Sequence, residues 1–167
     1  MCKIKNGKRG FTLIELLVVV LIIGILASVS LAQYKKIITK TQFSEIVSTL
    51  KSMIDAQKRY YIVNGTYTNN RDNLDINFPQ AESESRKYLI QITKDMHCGL
   101  EGAPRNVYCR NNKINMSLLH FFSGTYRCTN YDLNNYNNDE LCKKFLNTTH
   151  TYDGGDIRYY EGIPQNL

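Results

Sequence analysis

From residue 11 to residue 64 the chain has no proline and only one glycine, Gly24, and from Leu16 to Tyr34 it has no charge. The first absence removes the usual helix breakers. The second excludes an ordinary solvated surface helix, because with Phe11 to Ile14 in front the apolar stretch is long enough to span a bilayer and only Glu15 interrupts it. A transmembrane helix and a long signal-peptide core both fit this stretch. Closely spaced cysteine pairs are also missing: Cys98, Cys109, Cys128 and Cys142 are separated by ten, eighteen and thirteen residues, which speaks against a structural zinc site. His97, His120 and His150 fall in different segments, without a partnered acid or nucleophile at motif spacing. A structural protein is therefore expected, with no enzyme activity, cofactor or metal site.

The 167 residues suffice for one domain and an appended segment. Of the net charge of +6, Lys3, Lys5, Lys8 and Arg9 supply four, so the remainder falls to about +2. That is a weakly basic surface, and nucleic acid is not expected as a dedicated ligand. Cys2 lies among these leader cations, apart from the other four cysteines. An even set behind a membrane-targeting segment reads as two disulfides formed in an oxidising compartment, with three possible connectivities.

Beyond the apolar run, Phe43, Ile46, Val47, Leu50, Met53, Ile54, Gln57, Tyr60 and Tyr61 recur at steps of three and four, with Lys40, Glu45, Lys51, Asp55 and Lys58 between them. One helix from about Phe11 to about Val63 is predicted, on the order of 80 Å at 1.5 Å per residue. Its first half is a handle and its second a packing rib. After Gly65 the composition turns to Asn, Asp, Tyr and Thr, with candidate strands at Tyr88 to Thr93, Asn106 to Arg110, Met116 to Phe122, Thr125 to Thr129 and about Asp156 to Glu161. Gly99 to Pro104 is expected to supply the turn between the first two, and Ser123-Gly124 a later one. Asn138 is a candidate cap for a short helix over Asp139 to Phe145. Asp153-Gly-Gly-Asp156 lacks the alternating oxygen ligands of a calcium loop and reads as a plain turn. No internal repeat is found.

The segment K-R-G-F-T-L-I-E-L-L at Lys8 to Leu17 resembles the prepilin signature of type IV pilins and pseudopilins. The likeness extends through the helix to the Tyr-Tyr-x-x-Asn-Gly-x-Tyr run at Tyr60 to Tyr67, about a third of the chain. It implies an α+β pilin fold, a long N-terminal helix packed on a small antiparallel sheet with a disulfide-closed C-terminal loop. Residues 1–10 would be a cleaved leader, 11–34 the hydrophobic stem, 35–64 the amphipathic continuation and 65–167 the head. Further, it implies cleavage after Gly10 by a prepilin peptidase, N-methylation of Phe11, and a role for Glu15 in neutralising the N-terminal amine of a neighbouring subunit. An acid inside a spanning helix costs about 2.5 to 3.5 kcal/mol at the helix centre and usually marks a site. Gly24, Ser28 and Ala32, four apart, would let another stem approach closely. Many relatives carry proline where this chain has Ala32, and their stem loses helicity between a glycine and that proline, so Gly24 alone is not expected to melt this stem.

Within that resemblance the expected bridges are Cys98 to Cys109, tying a hairpin, and Cys128 to Cys142, similar to the loop many pilins close. Identical or related pilin subunits, the prepilin peptidase, the pilus assembly machinery and inner-membrane lipid are the implied partners. The precursor would sit in the inner membrane with its basic leader in the cytoplasm, and the product in an extracellular filament serving adhesion, twitching motility or DNA uptake. Two alternatives stand beside it. One is a pseudopilin of a type II secretion system. The other is a secreted soluble protein cleaved after Ala32, against which stand Glu15 inside the apolar core, the core's length and a periodicity that continues past the cut.

Overall fold

The structure, a computed structural model, describes residues 10–77, 88–100, 106–132, 134–149, 151–155 and 157–164, apart from the side chains of residues 29–32, 136 and 151. Two compact units result, one ending at Ile37 and one beginning at Ile38. The leader residues Cys2, Lys3, Lys5, Lys8 and Arg9, the loop residue Pro104, His150 and Asp156 lie outside the described residues.

Helix α1 spans Leu13–Asn64. In the second unit it turns Phe43, Ile46, Leu50, Met53 and Ile54 inward, all buried. Full burial of each side chain of this size is worth about 1.5 to 3 kcal/mol against leaving it in water. Gln57 belongs to the same stripe and is buried too, but its amide is satisfied: Nε2 donates to the Thr68 carbonyl at 2.6 Å and Oε1 accepts from the Thr68 N–H at 3.1 Å. The helix stops where Gly65 takes a positive φ of 69° and its N–H donates to the Tyr61 carbonyl, a left-handed C-terminal cap that a Cβ would strain.

The stripe packs on a seven-stranded antiparallel sheet: β1 (Leu89–Gln91), β2 (Met96–Gly99), β3 (Asn106–Asn111), β4 (Met116–Phe121), β5 (Tyr126–Asn130), β6 (Thr151–Asp153) and β7 (Arg158–Gly162), in the order β1-β2-β3-β4-β5-β7-β6. Register sets Cys98, Cys109, Leu118, Cys128 and Tyr160 side by side on the inner face, all buried. A second helix, α2 (Tyr136–Leu146), joins the same face, where Phe145 meets Phe43 edge to face at 5.6 Å. This is the α+β architecture expected from the sequence, a long N-terminal helix whose second half packs on an antiparallel sheet.

Three local expectations are corrected. Gly99 belongs to a strand, not to the turn between the first two strands, because β2 intervenes after a tight turn in which the Met96 N–H donates to the Thr93 carbonyl. The ring of Tyr108 on β3 lies across Gly99, where any Cβ would collide with it. Strand β6 has no counterpart among the candidate strands; it pairs with β7 through a turn closed by the Gly154 N–H on the Ile157 carbonyl. Asn138 is no cap. It sits inside α2, buried, and its Nδ2 donates to the Ile114 carbonyl and to Asn130 Oδ1, while Asn135 precedes the helix without a side-chain cap bond.

Candidate functional site

The residues singled out in the sequence fall into two groups, one on the stem and one in the head. On the stem, Gly10 and Phe11 precede the helix; nothing lies within 4 Å of where a Cβ on Gly10 would stand, and Phe11 is 77% exposed. The peptide bond between them is thus outside regular structure, the geometry a peptidase needs in a substrate.

Helix α1 begins on a capping box. The Thr12 N–H donates to Glu15 Oε2 at 2.8 Å, the Thr12 hydroxyl donates to the same oxygen at 2.7 Å, and the Glu15 N–H donates back to Thr12 Oγ1 at 3.3 Å. Threonine and glutamate three residues apart satisfy each other's end of a helix in this way. The T-x-x-E spacing at Thr12 to Glu15 is the sequence signal for this box, and the box gives Glu15 a task within its own helix. Both side-chain bonds fall on one oxygen, which keeps the carboxylate turned back along the helix towards Phe11.

Past Glu15, every large apolar side chain from Leu16 to Leu26 is 45 to 64% exposed. A helix apolar on all sides does not belong in water, and this one is long and apolar enough to cross a bilayer. Around Gly24 nothing lies within 4 Å of where a Cβ would stand, and the helix passes through it unbroken. Ser28 returns its hydroxyl to the Ile25 carbonyl at 2.7 Å, so it adds no unpaired donor to the apolar surface. Ala32 lies on the same helix.

In the head, Cys98 and Cys109 are bonded across directly opposed positions of β2 and β3, and Cys128 on β5 is bonded to Cys142 on α2. All four are buried, and Cys109 Sγ touches Met53 Sδ of α1 at 3.9 Å. His97 and His120 are not brought together with each other or with a nucleophile. Instead His120 lies on the inner face between Phe122 and Tyr126, its Nδ1 buried without a hydrogen-bond partner. Burial, and secondarily the positive charge of Lys58, push its pKa down to about 4. No cluster of three metal-ligating side chains occurs among the described residues.

Residues 5–31 match the family model described as the prokaryotic N-terminal methylation motif. The chain is 33% identical over 85 residues to the type IV major pilin protein PilE of Neisseria gonorrhoeae, covering 51% of this chain and 50% of that protein. To fimbrial protein Q of Moraxella bovis it is 46% identical over 54 residues, 30% of this chain and 34% of the relative. With the type IV major pilin protein PilA of Myxococcus xanthus the identity is 42% over 60 residues, 36% of this chain and 27% of the relative. The chain spans about half the length, or less, of the curated relatives it matches. No solved structure matches it. The chain thus carries the N-terminal methylation motif over residues 5–31, opens on an exposed apolar stem, and is similar over at most about half its length to type IV pilins and fimbrial proteins.

Proposed function

We propose that this chain is the structural subunit of a type IV pilus, held in the inner membrane by its stem until a prepilin peptidase cuts after Gly10 and methylates Phe11. Subunits then polymerise through their stems into a surface filament. The observation that carries this reading is the stem: an apolar helix exposed on all sides, opening on Phe11 and Glu15, is stable only in lipid or against other stems. Lipid serves the precursor and neighbouring subunits serve the filament. Gly24, Ser28 and Ala32 supply the small face at which stems approach, and Glu15 supplies the counter-charge for an incoming amine. Adhesion, twitching motility or DNA uptake are the uses such a filament supports.

The relatives are pilins and fimbrial proteins, which favours a pilus over the short filament of a type II secretion system. Intact-mass analysis of filaments sheared from cells tests the reading. The expected species begins at Phe11, carries one methyl group and lacks Cys2 and the four leader cations. A product beginning at Gln33 would point to a signal peptide, and absence of the chain from sheared material to a filament that stays beneath the surface.

A further inference from the structure

The outer face of the sheet, opposite α1 and α2, carries a cluster that assembly through the stem does not use. Register places His97, Arg110 and Ser117 in one row across β2, β3 and β4. The guanidinium of Arg110 lies over the ring of Tyr131, 4.1 Å from its centroid, and the Tyr131 hydroxyl is 3.2 Å from Ser117 Oγ. Stacking of this kind fixes the plane of the guanidinium. Its Nε is buried and has no hydrogen-bond partner, so only the outer edge, with its two terminal nitrogens, is left for a ligand.

Charge pairing singles this residue out. Among the described residues Arg59 pairs with Asp75, Arg71 with Asp72, Arg127 with Glu161 and Arg158 with Asp139, whereas Arg110 has no carboxylate partner. A guanidinium held in a fixed plane, half-buried and uncompensated, is poised for a planar oxyanion that takes two parallel hydrogen bonds. Beside it His97 and Tyr108 stand edge to face at 6.2 Å, a half-buried aromatic flank of the kind on which the C–H face of a sugar rests. A polyanion such as nucleic acid is a poorer fit, because its phosphates call for a run of unpaired cations, and among the described strand residues of this face Arg110 is the one such cation.

We propose that Arg110 anchors a binding site for a carboxylate-bearing saccharide, with the carboxylate on the guanidinium fork and the sugar ring against His97 and Tyr108. The site concerns the head alone and stands whether or not the assembly role of the stem is right.

Saturation-transfer NMR on the detergent-solubilised full chain tests it, with sodium glucuronate, glucose and methyl phosphate as probes. Glucuronate is expected to bind with a dissociation constant on the order of 1 to 10 mM, as befits one bidentate contact and one ring contact, and glucose not measurably. Arg110→Gln should weaken glucuronate by about tenfold or more, Arg110→Lys by about tenfold because the charge stays but the fork is lost, and Arg127→Gln not at all. Unaltered binding by the Arg110→Gln or Arg110→Lys chain would overturn the proposal, as would glucose binding as well as glucuronate, or no glucuronate binding by the unaltered chain. Methyl phosphate binding as tightly as glucuronate would replace saccharide recognition by bare oxyanion binding.

Discussion

Glu15 is engaged within its own helix, because Thr12 gives its carboxylate two hydrogen bonds and takes one from its N–H. A cap of this kind is worth about 1 kcal/mol, so Thr12→Val, which keeps the shape and removes the hydroxyl, should speed amide hydrogen exchange over residues 13–16 by about fivefold. Thr12→Ser should restore the slower exchange; equal rates in all three chains would show that the box does not hold the helix end. A second residue-scale effect belongs to His120. Its folded pKa lies near 4, below the ordinary 6.5, so the folded head binds its proton later than the unfolded chain does. The resulting stability is complete above pH 6.5 and is lost as pH falls through this window to about 4, in total on the order of 3 kcal/mol. His97, depressed by burial and then by Arg110, acts in the same sense. Urea midpoints at the two ends of the window should therefore differ, and the difference should shrink in His120→Phe; an unchanged difference in that variant would show that other groups carry the pH dependence.

Among the elements, α2 depends most on covalent and ionic fastening. It is short, lacks a side-chain cap, and is tied to β5 by Cys128 to Cys142 across a sequence separation of 14. Asp139 on its first turns accepts from Asn130 Nδ2 and pairs with Arg158 of β7, and Asn138 reaches Asn130 and the Ile114 carbonyl. Replacing Cys128 and Cys142 together by serine should cost about 3 kcal/mol in the chain-entropy model, read as a lower urea midpoint for the head. Peptide mapping without reductant should recover Cys98 joined to Cys109 and Cys128 joined to Cys142, and a peptide linking Cys109 to Cys128 would contradict the structure. Several features of these elements are legible in the sequence: the stripe from Phe43 to Gln57 marks the buried side of α1, and the candidate strands at Asn106 to Arg110 and Met116 to Phe122 coincide with β3 and β4. Strand β2 is not, because its turn at residues 93–95 contains neither glycine nor proline and its one glycine is needed under the Tyr108 ring. Nor is the role of Asn138, since a polar side chain just before an apolar helix looks like a cap until the register of β5 brings Asn130 beside it. That Arg110 has no carboxylate partner among the described residues depends likewise on pairings between arginines and carboxylates as far as 34 residues apart, as in Arg127 with Glu161.

At the scale of the whole molecule, the stem and the head answer to different solvents. The head closes its own core, while the apolar side chains of the stem are exposed, which the proposed function assigns to lipid or to other stems. Glu15→Ala should therefore separate insertion from assembly. Removing the carboxylate makes the stem more apolar, so entry into the membrane should be no worse, and Gly10 with the basic residues before it, which the peptidase is proposed to read, is left intact. Assembly differs under the proposed function, because each entering subunit would bring the charged amine of Phe11 into a water-poor surrounding, where a cation without a partner is costly. Glu15→Gln keeps the shape and can still accept from Thr12, so it preserves the cap while abolishing the charge. A defect shared by Ala and Gln assigns the effect to electrostatics, and a defect in Ala alone assigns it to the helix start. Counting sheared filaments beside an immunoblot of cleaved and uncleaved protein in membranes makes the comparison. The expected result is normal cleavage and few filaments in both variants. Normal filament yield in both would mean that the acid at Glu15 serves its own helix end and nothing beyond it.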